Sequence, residues 1–278
     1  MTAPFGARLR AALDTRGPLC AGIDPHSALL AAWGLSNDVA GLERFAGTVV
    51  EALADQVAVL KPQSAFFERF GSRGIAVLER TIADARAAGA LVVLDAKRGD
   101  IGSTVEAYAQ AYLDPSAPLF ADALTASPYL GYGSLEPLYA TAQKHGAGVF
   151  VLAFTSNPEG AAVQRAVTAD GTSVGAAILE GAARRNAGAE PLGPIGAVIG
   201  ATVPDVPFDL AALNGPILAP GLGAQGATPG DLRALFGKAL RDVVPAVSRE
   251  LLRYGPDRAA LREAAARGVE DCRTALGY

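Results

Sequence analysis

The sequence is poor in the residues that staple folds or bind metals: two cysteines, two histidines, one tryptophan and one methionine in 278 residues. Cys20 and Cys272 stand near opposite ends of the chain, so no disulfide framework can be drawn. Both lie in apolar or helical patterns and read as small buried hydrophobes of a reducing compartment. His26 and His145 are too far from each other and from the cysteines to give a zinc-type spacing, so no metal is expected. Basic residues are not in excess: 24 Lys and Arg against 28 Asp and Glu leave a net charge of −4. A nucleic-acid or anionic-membrane surface needs a basic face, so neither partner is expected. No run of about 20 apolar residues offers a membrane span. Around Arg8, Arg10 and Arg16 there is no apolar stretch of roughly 7–15 residues, so a secretory leader is not expected and the cytoplasm is.

Apolar residues, by contrast, make up 50% of the chain, enough for a large core. They fall into eight short runs: Leu19–Asp24, Val57–Lys61, Leu91–Asp95, Phe120–Thr125, Gly148–Phe154, Ile195–Gly200, Pro216–Ala219 and Asp242–Val247. The runs lack polar alternation, as strands buried on both faces should. Between them, apolar residues recur at helical spacing. Phe45, Val49, Ala52 and Leu53 do so after the first run; Ile75, Leu78, Ile82 and Ala85 after the second; Leu261, Ala265, Cys272 and Leu276 after the last. Eight strand–helix units in series predict a closed (β/α)8 barrel of the TIM type, with residues 1–278 as a single α/β domain. A doubly wound open sheet is the alternative reading of the same alternation. In a barrel the chemistry sits at the C-terminal ends of the strands. Those ends carry polar residues here: Asp24, Lys61, Asp95 with Lys97, Ser127, Ser156 and Arg249.

The third run continues as Asp95-Ala-Lys97-Arg-Gly-Asp100-Ile101-Gly-Ser-Thr104. Asp95 and Lys97 are two apart, so on an extended strand they share the inward face. Asp100 and Thr104 are four apart and share a different face, on the helix that follows. Lys61 closes the neighbouring strand, and the spacing predicts an alternating array of Lys61, Asp95, Lys97 and Asp100 in a small volume. The plain alternatives are a strand-end ion pair for Asp95–Lys97 and a helix N-cap for Asp100. The segment Pro220–Gly226, with glycines at 221, 223 and 226, lets backbone N–H groups approach an anion, although a ligand-free glycine turn has the same composition.

The Asp95–Thr104 segment resembles the D-x-K-x-x-D-I-x-x-T signature of orotidine 5′-monophosphate decarboxylases. The resemblance extends along the chain in barrel order. It takes in Gly22-Ile-Asp24-Pro, Lys61-Pro, Thr155-Ser-Asn-Pro158, Pro220-Gly-Leu-Gly-Ala-Gln225-Gly and Ser248-Arg249, and Ala126-Ser-Pro-Tyr-Leu-Gly131 is similar to the longer bacterial subgroup. It implies decarboxylation of orotidine 5′-monophosphate to UMP without metal or organic cofactor, in a homodimer with shared active sites. By the same resemblance, Lys97 donates the proton to C6, Asp95 lies beside the scissile carboxylate, and Lys61 orients Asp95 and the ribose. Asp24 holds a ribose hydroxyl. Asp100, Ile101 and Thr104 enter the partner subunit's site. Ser156, or Thr155 beside it, contacts the pyrimidine. Gln225, the Gly221 and Gly223 backbone and Arg249 hold the phosphate.

The residues suit that chemistry on physical grounds. Loss of CO2 from C6 leaves an electron pair in an orbital orthogonal to the ring π system, and no pyridoxal or thiamin signature offers an electron sink. Stabilisation must then be electrostatic, from a cation already in place. A lysine among apolar walls tends to lose its proton, and flanking carboxylates oppose that loss. The rival reading is a magnesium-dependent sugar-phosphate lyase or aldolase of the same barrel superfamily, against which stands Lys61, where a magnesium site wants an acid. A non-catalytic nucleotide-phosphate binder on a decayed barrel is the second rival, opposed by the intact Lys61, Asp95, Lys97 and Asp100. Ser248 has no histidine nearby, so a hydrolase triad is not expected. Trp33, Phe66, Phe67 and Phe70 read as packing.

Overall fold

A computed structural model describes residues 3–222 and 229–278. Eight parallel strands close into a barrel in chain order: β1 (Cys20–Ile23), β2 (Val59–Pro62), β3 (Leu91–Arg98), β4 (Ala123–Ala126), β5 (Gly148–Phe154), β6 (Ile195–Ile199), β7 (Ile217–Pro220) and β8 (Val243–Val247). β8 returns to β1 through the pairs Cys20↔Ala246 and Ala21↔Val247, which rules out an open sheet. Each apolar run of the sequence becomes one strand. The outlying residues of several runs lie just outside the ladder, because pairing with both neighbours decides where a strand begins and ends. The expected apolar helix faces are buried: Phe45, Val49, Ala52 and Leu53 on helix Val39–Leu53, and Leu261, Ala265, Cys272 and Leu276 on helix Arg258–Leu276. On helix Gly71–Ala87, Val77 joins Leu78, Ile82 and Ala85 in the core, and Ile75 is half-buried.

Side chains along each strand alternate between the barrel interior and the layer under the helices. The interior series shows a gradient. Cys20, Val59, Val93, Ala123, Phe150, Leu218 and Val244 pack in its lower part. Two residues further along their strands stand Gly22, Lys61, Asp95, Thr125 and Leu152. The floor is therefore apolar and the open end polar, a distribution that near-continuous hydrophobic runs do not advertise.

The N-terminal end of the barrel is stoppered by helix Phe5–Arg16, whose Phe5, Leu9 and Leu13 are fully buried against the lower interior layer. Burial of each such side chain stabilises by about 2 kcal/mol. Phe5 meets Phe150 edge-on at 5.9 Å between centroids. It also lies where a Cβ at Gly148, the first residue of β5, would stand, 2.3 Å away, so that position takes only glycine. Polar ties lock the stopper: Arg8 Nη1 donates to Asp122 Oδ1 at 2.6 Å, and Arg10 Nη2 to Asp242 Oδ1 at 2.6 Å.

Candidate active site

At the other end of the barrel a cavity of about 510 Å³ opens among the strand termini. The structure gathers there Asp24, Lys61, Asp95, Lys97, Ser156, Gly221 and Arg249 from five strand ends and the loop after β7, as the sequence predicted. Leu152 and Val198 supply apolar floor.

Asp95 is the centre of the cluster. It is buried; its Oδ2 accepts from Lys61 Nζ at 2.9 Å and its Oδ1 from Lys97 Nζ at 2.6 Å. Burial alone would push the Asp95 carboxyl up, but Lys61 and then Lys97 outweigh it and hold the group well below the usual carboxylate range. Burial would likewise lower the Lys61 ammonium. Asp95 first and Asp24 second overcome that and raise it above the usual lysine range. The pair is thus locked ionised at neutral pH. Lys61 is enclosed, whereas the Lys97 side chain is 44% exposed toward the cavity and reachable by a ligand.

Asp95 and Lys97 meet, but not through simple strand alternation. β3 continues past Asp95 to Arg98, its pairing with β4 slips between Leu94 and Arg98, and Lys97 has φ +49°. A lysine in the left-handed region is strained, and such strain persists only where neighbours impose it. The restraint is Thr125: its Oγ1 accepts from the Lys97 backbone N–H at 3.0 Å and donates to Asp95 Oδ1 at 2.9 Å. Arg98, next along, turns away to pair with Glu68 and to donate to Tyr112 Oη at 3.3 Å. Sequence reasoning missed Thr125. The signal was present, since it is the polar residue two positions beyond inward-facing Ala123.

The expected fourth member of the array is elsewhere. Asp100, Ile101 and Thr104 do not line the cavity of their own barrel, so the cluster is Lys61, Asp95 and Lys97 without Asp100. The capping alternative for Asp100 does not hold either. Among the described residues, helix Gly102–Leu113 has no side-chain cap, and Asp100 Oδ1 accepts from the adjacent Ile101 N–H at 2.8 Å. Ile101 is 60% exposed and Thr104 is also exposed. Gly223 and Gln225 lie outside the described residues.

The Thr155 hydroxyl is engaged within its own segment. Thr155 Oγ1 donates to Asn157 Oδ1 at 2.6 Å and accepts from Gln164 Nε2 at 2.7 Å, while Gln164 Oε1 accepts from the Thr155 N–H at 2.9 Å. Thr155 is therefore an anchor for the segment after β5, and both Thr155 and Ser156 line the cavity. His26, packed on Phe66 at 4.3 Å between ring centroids, and Ser248, both read as bland, also line the cavity, and so does Gln63. Trp33 and Phe67 are core residues, as expected.

A family model described as orotidine 5′-phosphate decarboxylase / HUMPS family matches residues 17–264. A Streptomyces coelicolor protein named orotidine 5′-phosphate decarboxylase is 68% identical over 273 residues, 98% of each chain. A Salinispora arenicola protein of the same name is 66% identical over 272 residues, again 98% of each. A crystal structure of a Streptomyces avermitilis protein superimposes with a TM-score of 0.95 at 64% identity, over 100% of this chain and 97% of that one. The structure of Leishmania donovani OMP decarboxylase does so with a TM-score of 0.76 at 31% identity, over 99% and 100%.

Proposed function

The chain belongs to the orotidine 5′-phosphate decarboxylase / HUMPS family, and from that premise we propose that it converts orotidine 5′-monophosphate to UMP and CO2, the last step of de novo pyrimidine nucleotide synthesis. The observation that carries this reading within the family is the second strand end. Lys61, not an acid, stands there, and it is committed to Asp95 at 2.9 Å. A magnesium-dependent lyase would want a carboxylate at that place.

In the reaction the C6–carboxylate bond breaks and its electron pair stays on C6. CO2 departs, and the pair takes a proton from Lys97 Nζ, leaving a neutral amine that is recharged from solvent. Lys97 suits this because Asp95 fixes its Nζ and Thr125 fixes its backbone, so the cation needs little reorganisation as charge develops. Lys61 orients Asp95, Asp24 takes a ribose hydroxyl, Ser156 faces the pyrimidine, and Arg249 with the Gly221 backbone holds the phosphate. Phosphate binding remote from C6 can drive closure and desolvation. The test is loss of the ultraviolet absorbance of orotidine 5′-monophosphate with enzyme dialysed against EDTA. Full activity is expected; a loss restored by Mg2+ would move the chain to the lyase branch of its family.

Asp100, Ile101 and Thr104 serve the site of a second subunit in a symmetric homodimer. Support comes from the exposure of Ile101 and Thr104 and from the absence of all three from their own cavity. Tyr129 and Leu130, 79% and 55% exposed after the neighbouring strand, add apolar surface suited to an interface. Lys97→Ala and Asp100→Ala homodimers should each be nearly inactive. Re-equilibrated as an equimolar mixture, they should recover about a quarter of wild-type activity, because half the dimers are mixed and each has one intact site. No recovery, with subunit exchange confirmed by mass, would return Asp100 to its own barrel.

A further inference from the structure

Among the described residues, two oxygens that line the cavity are buried without a hydrogen-bond partner: Asp24 Oδ1 and Ser248 Oγ. They come from adjacent strand ends, since β1 and β8 are paired as far as Ala21↔Val247. Gly22 makes their approach possible. A Cβ at that position would lie 2.7 Å from Ser248 Cβ, 2.9 Å from Ser248 Oγ and 3.2 Å from Asp24 Oδ2. The Ser248 hydroxyl and the other oxygen of the Asp24 carboxylate, Oδ2, therefore flank one point that any side chain at position 22 would fill. Ser248 also occupies the N-cap position of helix Arg249–Leu252, where a serine hydroxyl ordinarily accepts from the first turn. It makes no such bond; its backbone (φ −129°, ψ −82°) is neither helical nor extended. The hydroxyl is withheld from its local partner, on a residue that lines the cavity.

A buried hydroxyl and a buried carboxylate oxygen are costly to leave unpaired, and a single ligand hydroxyl satisfies both. Resting on the nucleotide substrate proposed above, we infer that Ser248 is a further substrate-binding residue that shares one sugar hydroxyl with Asp24. That hydroxyl donates to Asp24 Oδ1 and accepts from Ser248 Oγ. The location agrees: Ser248 stands between Asp24, on the sugar, and Arg249, on the phosphate. The consequence is specificity, because a sugar lacking that hydroxyl leaves both protein oxygens unpaired, whereas an added contact alone discriminates weakly.

The experiment is calorimetric binding of UMP, 2′-deoxy-UMP and 3′-deoxy-UMP to wild type, Ser248→Ala and Ser248→Gly, with turnover of orotidine 5′-monophosphate measured alongside. Wild type should bind one deoxy analogue much more weakly than UMP. Ser248→Ala should weaken UMP by roughly fivefold to tenfold, the worth of one hydrogen bond. It should change that analogue by less than about twofold, raise KM in proportion and leave kcat near wild type. Ser248→Gly should reproduce the pattern. Unchanged UMP affinity overturns the inference, and so does equal weakening of all three ligands, which would mean a phosphate contact or a packing effect. Disagreement between the two variants overturns it too, because packing against Gly22 would then be responsible. A wild-type enzyme that neither binds UMP nor decarboxylates the substrate would overturn the functional reading itself, an outcome visible before any variant is compared.

Discussion

At the N-terminal end of the barrel, the buried Asp122 carboxylate accepts from Arg8 at 2.6 Å, from the Val92 N–H at 2.9 Å and from Arg86 at 3.3 Å. At the C-terminal end of the same sheet, Asp24 and Ser248 keep buried oxygens without a protein partner, and Lys97 is held in the left-handed region. Both ends place carboxylates in low-dielectric surroundings, where pairing matters most. At the first end the Asp122 carboxylate closes its bonds on protein groups. The other holds its groups in fixed positions for something that is not protein. A charge cluster is therefore uninformative by sign and burial alone. Whether its hydrogen bonds close internally separates a structural cluster from a reactive one.

Substitutions at the two ends should split activity from stability. The largest effect belongs to the open end: Lys97→Ala should lower kcat by at least about 10⁴-fold, since it removes both the placed cation and the proton donor. Its thermal unfolding midpoint should stay near wild type. Substantial residual kcat would end the assignment of Lys97 as the acid.

A smaller effect, of the opposite kind, is expected at the closed end. Asp122→Ala strands Arg8, Arg86 and the Val92 N–H, and should destabilise by about 3 kcal/mol in denaturant unfolding. The kcat/KM of the folded fraction should be unchanged. A catalytic defect without loss of stability would break the division between the ends.

The smallest expected effect is an absence of titration. Asp95 is held below the usual carboxylate range, so its share of stability is present above its unfolded value of about 3.9 and is lost only as pH falls through the lower folded value. Lys61 is raised, so its share is present below about 10.4 and is lost only as pH rises through the higher folded value. Between those limits the pair contributes a constant amount. Carbon-13 NMR of aspartate-labelled enzyme should show the Asp95 carboxyl unchanged from about pH 7 to about pH 4. A midpoint at or above the ordinary value would mean that burial outweighs two lysines.

Much of this was legible in the amino-acid order because it depends on short-range regularity. Apolar runs separated by helical periodicity specify strand and helix whatever their partners, and eight such units in series leave few topologies but a closed barrel. Lys61, Asp95 and Lys97 could be assigned to one site because each ends a run, and parallel strands bring all such ends to one side. Strict alternation failed at Lys97, whose φ of +49° is imposed by Thr125 from a neighbouring strand. No local pattern encodes a restraint delivered across the sheet. Asp100 stands outside the cavity of its own barrel, and the grouping with Lys61, Asp95 and Lys97 by spacing alone does not hold within one chain, because spacing gives distance along the chain and not direction. The tie that engages the Thr155 hydroxyl comes from Gln164, and Ser248 meets Gly22 only across the β1–β8 seam. Sequence alone determined which elements form and which residues stand at their ends, since propensity and burial act over a few residues. Only the tertiary structure decided which polar atoms find partners and which are left for substrate, because hydrogen bonds are satisfied by whatever the fold brings within about 3 Å.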